Sequence, residues 1–375
     1  MIIGNYDKAE KLFSKLLNRC REKLGENDHK TLATISSLGA VYDKQGKYRD
    51  AEILLKQSLD KMKVILGESH SYTLRTMNSL GVAYKSQGKH TDAEVLFKQC
   101  LHKQKVVLGE SHSCTLYTMC NLASTYDDQG KHSDAESLYK QCLAISEVLG
   151  ENHHITLSTM NNLAGPYNRQ DKHSDAEALY KQCLDRRKIV LGESHPDTLS
   201  NEYNLALAYG HQGKYNDAEV LFKQCLDKMK IVLGANHPHT LTTMSNLAAT
   251  YKYQDKYNDA EDLYKQCLDK RSMVLSESHP DTLMIMNNLA ATYQSLGKHQ
   301  EAEDLLKQCL DKRTMVLGEN HPDTLMTMNN LAATYKILGK HQEAEDLVKQ
   351  RDSWMDEPLE QVSKLQSKKS KKGKR

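Results

Sequence analysis

The sequence predicts an all-α protein built as an array of helix–turn–helix pairs. Three observations carry that prediction. The pair Thr-Leu recurs at 31, 73, 115, 156, 198, 240, 282 and 324, in steps of 42 with a single step of 41. Each interval holds two apolar stripes at helical spacing. Glycine and proline punctuate those stripes, glycine where a helix should stop and proline where one should start. Self-similarity at such a period is the mark of a repeat architecture.

The elements follow in order. Residues 1–25 read as a lone second helix, because "IIGNYDKAEKLF" aligns with "SQGKHTDAEVLF" further on. Either this half repeat caps the array, or the sequence is a piece of a longer one. Residues 26–350 then hold eight repeats, each a helix A and a helix B. In the seventh, Leu283, Met286, Leu289, Ala290 and Tyr293 form the stripe of helix A. Gly297 is placed to end it in a left-handed conformation that costs glycine least. Ala302, Leu305, Leu306, Cys309 and Leu310 form the stripe of helix B, and Gly318 closes it. Pro322 then stands at the first position of the next helix, where a missing N–H does no harm. Asp323 lies near the positive end of its dipole, and His321 caps or packs at the junction. One pair cannot bury its stripe alone; stacked pairs bury a continuous core.

Every junction carries a stretch such as "GESHPDTL" (192–199), with the residue types of a hydrolase or metal site. It returns as "GESHSYTL" at 67–74 and "GENHPDTL" at 318–325. A catalytic site is normally single, so the stretch is expected to be architecture. Zinc is disfavoured, since no second ligand set lies at ligand spacing. No Walker loop, nucleophile elbow, zinc-protease motif or dinucleotide fingerprint appears. The expectation is a protein that is not an enzyme and needs no cofactor.

The pattern N-L-A-x-x-Y-x-x-x-G-K-x-x-x-A-E-x-L-x-K-x-x-L, as in "NNLAATYQSLGKHQEAEDLLKQCL" (287–310), resembles the tetratricopeptide repeat (TPR). The 42-residue period with "LGENHPDT" between repeats is similar to the kinesin light chain and nephrocystin-like type. The heptad coiled coil that precedes the repeats of kinesin light chains has no counterpart here, which sets motor-subunit identity aside. The resemblance implies a right-handed superhelix, an α-solenoid, whose concave groove is lined mainly by helix A and binds peptide segments of partner proteins. It implies groove positions Met284, Asn287, Asn288, Ala291, Gln294 and Ser295 in the seventh repeat, and Met326, Asn329, Asn330, Ala333, Lys336 and Ile337 in the eighth. A column of asparagines recurs as Asn78, Asn121, Asn162, Asn204, Asn246, Asn288 and Asn330. An amide offers donors and an acceptor to any peptide backbone; in stacked helices it can also bond to the adjacent repeat. Arg75, Lys85, Arg169, Lys252 and Lys336 stand nearby, suited to acidic ligand side chains. Repeats seven and eight differ at four aligned places, Ile285/Thr327, Gln294/Lys336, Ser295/Ile337 and Leu306/Val348. Two of these fall at the groove end of helix A. The expected function is a protein–protein interaction scaffold of cargo-adaptor type, with kinesin-associated cargo among its expected partners. The alternative is the regulatory repeat region of a larger signalling protein.

Charge and hydropathy bound the rest. The net charge is +2; residues 351–375 hold 8 basic and 4 acidic residues, so the remainder is −2. A body so balanced has no nucleic-acid footprint. No apolar run approaches the roughly 18 residues of a membrane span, and the start lacks signal-peptide order, so a cytoplasmic protein is expected. Six of the 9 cysteines, Cys100, Cys142, Cys183, Cys225, Cys267 and Cys309, share one position of helix B. They read as small buried thiols, about 10 Å apart and beyond disulfide reach of one another. Cys114 and Cys120 lie six apart on one helix, a poor metal pair. Pro166 falls inside a helix A, near the 41-residue step and near Asp171, which stands where glycine is usual. A kink is expected near 142–171, either a hinge dividing 1–150 from 151–350 or drift in a duplicated array. Residues 351–375 read as a cap, with a short helix in "PLEQVSKLQS", and a basic tail, "KKSKKGKR". The tail serves for nuclear import, for tethering to an anionic surface, or only for solubility.

Overall fold

The computed structural model describes residues 6–356. The expected capping helix in 358–367 and the basic tail lie outside them. Among the described residues there are seventeen α-helices and no strand. The helices A are α2 (His29–Lys44), α4 (Ser71–Ser86), α6 (Ser113–Asp128), α8 (His154–Arg169), α10 (Pro196–His211), α12 (Pro238–Tyr253), α14 (Pro280–Ser295) and α16 (Pro322–Ile337). The helices B are α1 (Tyr6–Leu24), α3 (Tyr48–Leu66), α5 (His90–Leu108), α7 (His132–Ser146), α9 (His173–Leu191), α11 (Tyr215–Val232), α13 (Tyr257–Leu275), α15 (His299–Leu317) and α17 (His341–Asp356). The one-residue deletion shortens α7, whose end passes into a 3-10 turn, Glu147–Leu149.

The chain forms two compact units, an N-terminal one ending at Lys214 and a C-terminal one starting at Tyr215. They part between α10 and α11. Pro166 is buried within α8, which runs 16 residues like every other helix A. Stacking of α8 between α7 and α9 persists, so the hydrogen bond that proline removes is a local loss. In the N-terminal unit the core runs through Leu55, Leu59, Leu74, Met77 and Leu80. In the C-terminal unit Ala290, Leu306 and Leu331 pack with Leu305, Leu310 and Leu347.

The recurring "GESHPDTL" stretch is a helix junction. The histidine is the N-cap: Nδ1 of His195 accepts from the backbone N–H of Asp197 at 3.2 Å, and Nδ1 of His321 from that of Asp323 at 3.2 Å. The threonine three residues after it ties the loop back. Thr324 Oγ1 donates to the carbonyl of Gly318 at 2.9 Å, and Thr73 Oγ1 to that of Gly67 at 2.8 Å. Both bonds satisfy orphan groups at helix ends. The glycine itself sits at φ 94° at Gly318; Ser276 adopts φ 97° at the equivalent place, a strained conformation for a residue with a Cβ.

A carboxylate clamp joins each repeat to the next and accounts for the A-E and G-K signature. Glu52 of α3 accepts from Lys56, one turn on, at 2.6 Å, and from Lys89 of the next repeat at 2.7 Å. Both ammonium groups lie over the Tyr84 ring, at 5.3 and 5.6 Å. Hydrogen bonds from Lys56 and Lys89 hold the Glu52 carboxyl down at about 2. The same arrangement recurs at Glu94, Glu136, Glu177, Glu219, Glu261 and Glu303. The Glu303 side chain is only 1% exposed. Such partly buried, doubly bonded carboxylates matter more than surface pairs.

The shared cysteine position has a polar reason as well as a steric one. The thiols of Cys100, Cys183, Cys267 and Cys309 donate to the carbonyls of Leu74, Leu157, Leu241 and Leu283 at 3.2 to 3.4 Å. Ser58 makes the same bond to Leu32 at 2.9 Å. The position therefore takes a small side chain with a donor, and the buried thiols expected there are also hydrogen-bonded.

Candidate functional site

The asparagines predicted to line a groove occupy two neighbouring positions of helix A, and they bond between repeats. Asn121 Nδ2 donates to Asn78 Oδ1 at 3.1 Å, Asn204 Nδ2 to Asn161 Oδ1 at 3.1 Å, and Asn330 Nδ2 to Asn287 Oδ1 at 3.0 Å. Asn78 thus stands one position earlier than the others and acts as acceptor, taking a second bond from Thr118 Oγ1 at 3.1 Å. Asn162 is exposed and accepts from Asn161 at 3.3 Å. Asn246 and Asn288 are half-buried, on α12 and α14. One N–H of each donor is therefore committed to the stack. The Oδ1 atoms of Asn121, Asn204 and Asn330 take no part in these bonds, and the three side chains are half-buried. An acceptor so placed suits a backbone N–H of a bound chain.

The five cations fall into two classes. Lys85 is paired with Asp128 of the following repeat at 3.3 Å and also donates to Ser124. Arg169 is paired with Asp127 of the preceding repeat, whose other carboxylate oxygen lies 2.7 Å from His132 Nδ1. Both are engaged inside the array, where the sequence reading had offered them to acidic ligands. Arg75 is exposed, lies 5.1 Å over the Tyr72 ring, and lines a 300 Å³ cavity with Asn78, His112 and Tyr117. Lys336 is exposed at the end of α16. Lys252 is half-buried and has no carboxylate partner among the described residues. Burial pushes its ammonium below the usual lysine range. It lines a 470 Å³ cavity in the C-terminal unit with Ala249, Tyr253, Asp255, Tyr257 and Asn288. The one carboxylate there, Asp255, accepts from Tyr257 Oη at 2.5 Å. Tyr253 is 67% exposed and stacks on Tyr215 at 5.1 Å.

The model of one repeat family matches residues 1–63, 72–147, 156–230, 197–273 and 274–351, nearly the whole array. The chain belongs to the tetratricopeptide repeat family. Its TPR repeats resemble those in the crystal structure of a kinesin light chain-type protein from Podosopora anserina with nearly identical TPR-like repeats. The two are 28% identical over 53% of this chain and 93% of that one, with a TM-score of 0.50. BtubC (BKLC) from P. vanneervenii is 18% identical over 62% of this chain and 91% of its own, TM-score 0.52. The apo quorum sensor NprR from B. thuringiensis is 16% identical over 95% of each chain, TM-score 0.63. The last two share the fold. Comparison with curated protein sequences returns no match. TPR arrays are interaction scaffolds, and no helix among the described residues is long and apolar enough to cross a membrane.

Within this TPR array the sequence reading missed Tyr253, Asp255 and Tyr257 as companions of Lys252. It also did not separate paired from unpaired cations, although the signal was present. Lys85 is followed one repeat later by Asp127-Asp128, whereas Lys252 is followed by Gln294-Ser295.

Proposed function

We propose that the chain is a non-enzymatic scaffold that binds acidic peptide segments of partner proteins along the helix A face, centred in the C-terminal unit on Lys252 and Asn288. One observation carries the reading. Lys252 is a half-buried, unpartnered ammonium beside a cavity lined by tyrosines and an asparagine. A carboxylate delivered there pairs with a cation that has already lost part of its hydration, which strengthens the attraction. Tyr253 offers exposed apolar area to the flanking residues, and the asparagine acceptors hold main-chain N–H groups. The similarity to kinesin light chain-type repeats supports the cargo-adaptor form of this function.

The test is selection from a diverse peptide library on the intact chain and on Lys252→Ala. Selected peptides sharing an acidic residue, bound at least tenfold more weakly by the variant, support the reading. Identical selections from both proteins, or none, would remove Lys252 from the site.

A further inference from the structure

At one place two thiols meet. Cys120 Sγ of α6 and Cys142 Sγ of α7 are 3.3 Å apart, within one repeat. Thr159 Oγ1 of α8 lies 3.2 Å from the first sulfur and 3.7 Å from the second. The Cys142 thiol donates to the Leu116 carbonyl at 3.6 Å, longer than the 3.2 to 3.4 Å of the equivalent cysteines. Its sulfur is drawn toward Cys120 instead. Cys120 in turn occupies the position where Asn78, Asn161 and Asn287 act as acceptors. With a sulfur there, Asn162 of the next repeat has no amide oxygen across the interface, and the asparagine ladder is interrupted at that step. The 41-residue spacing arises a few residues after Cys142, where α7 ends early at Ser146. Two departures from the repeat, the lost amide and the lost residue, thus lie near this pair.

We infer that Cys120 and Cys142 form a redox-reactive dithiol that hydrogen peroxide closes to a disulfide, stapling helix A to helix B of the third repeat. The sulfurs must approach from 3.3 Å to about 2 Å, a movement within the reach of side-chain rotation. Peroxide oxidises one thiol to the sulfenic acid; the O–O bond breaks and water leaves. The second sulfur attacks the sulfenic sulfur, the S–S bond forms, the S–O bond breaks, and a second water leaves. Two thiols and one peroxide give one disulfide and two waters. The hydrogen bond from Cys120 favours the thiolate at Cys142 over that at Cys120, whose thiol is raised. Cys120 is partly exposed as a residue, while its thiol lies deeper and is raised in part by burial, so the oxidant that suits it is a small neutral one such as peroxide.

The test uses the full chain, treated with hydrogen peroxide, proteolysed without reductant and mapped by mass spectrometry. The expected result is a linked Cys120–Cys142 peptide two hydrogens lighter than its parts. The thermal midpoint rises by about 5 °C, because the bond closes a loop of about 20 residues, and dithiothreitol reverses both changes. Cys142→Ser, whose hydroxyl the Ser58 bond shows to fit this position, folds and forms no link, whereas Cys114→Ser retains it. If Cys120 and Cys142 remain fully alkylatable after treatment and unfolding, or if either becomes linked to another cysteine instead, the inference is overturned.

Discussion

The same helix A position carries a lysine at Lys85 and at Lys252, with opposite consequences. In the N-terminal unit the following repeat presents Asp127 and Asp128, and Lys85 is tied to Asp128 at 3.3 Å. Arg169, one repeat further on, closes the other side of the acidic pair. Charges there alternate in sign from repeat to repeat and neutralise one another. In the C-terminal unit the repeat after Lys252 presents Gln294 and Ser295. Gln294 spends its amide on Thr334 Oγ1 at 2.6 Å and on the Asn330 carbonyl at 3.3 Å, and Lys252 is left without a counter-ion. A cation in a repeat array is therefore structural glue or a ligand contact according to what stands one repeat away, not according to its own position.

The largest expected effect comes from erasing that difference. Ser295→Asp places a carboxylate at the equivalent of Asp128. It should pair with Lys252, restore its ammonium toward the ordinary lysine range, and reduce acidic-peptide binding by tenfold or more in fluorescence anisotropy. The reverse change, Asp128→Ser, frees Lys85. Its stability cost should stay under about 1 kcal/mol by denaturant titration, and peptide binding at the Lys252 site should not change. If Ser295→Asp binds acidic peptides as well as the parent chain, the contrast between the two units has no functional meaning.

Next in size are changes to features that the two units treat differently in their cores. Gly81 of α4 stands where Ala290 of α14 does. A Cβ at Gly81 would lie 2.6 Å from the Phe97 ring, so Gly81→Ala should destabilise by about 2 kcal/mol. Ala290→Gly should cost about 1 to 2 kcal/mol, through helix propensity and the loss of a buried methyl. The two midpoints in urea separate these causes.

The carboxylate clamps are common to both units and give a pH signature. Glu52, Glu94, Glu136, Glu177 and Glu219 are each held at about 2, below the 4.5 of a free glutamate. A carboxylate lowered in the folded state stabilises above its unfolded value and loses that contribution as pH falls toward its folded value. Stability should thus be level from pH 7 to about 5.5 and fall steadily from there to pH 2. Lys252 has the opposite leaning. Because burial lowers it, binding of an acidic peptide should weaken at a pH below that at which an exposed lysine loses its proton.

A further small effect concerns a junction of the C-terminal unit. Ser276 holds φ 97° where Gly67, Gly109 and Gly192 stand in the N-terminal unit. Ser276→Gly should raise stability by about 1 kcal/mol, by relieving a left-handed residue that carries a Cβ, and leave peptide binding unchanged.

Much of the molecule was legible without coordinates. The 42-residue period, the glycine stops and the proline starts placed the eight repeats, and the recurrence of "GESHPDTL" marked it as a junction. The histidine caps and the threonine bonds to loop carbonyls agree with that reading. These features are local: a cap, a turn and an apolar stripe are each decided within a few residues. What stacking alone decided lies about 20 to 43 residues apart in the chain. Asn121 meets Asn78, Glu52 meets Lys89, Lys85 meets Asp128 and Cys120 meets Cys142 only because successive helices pack at a fixed register. The sequence named the asparagines and the cations as groups able to bind. Tertiary structure determined which were already bonded to the next repeat and which, like Lys252, were left for another partner. Hydrogen bonds and ion pairs depend on distances of a few ångströms, and periodicity fixes the spacing of helices without fixing which side chains face each other across them.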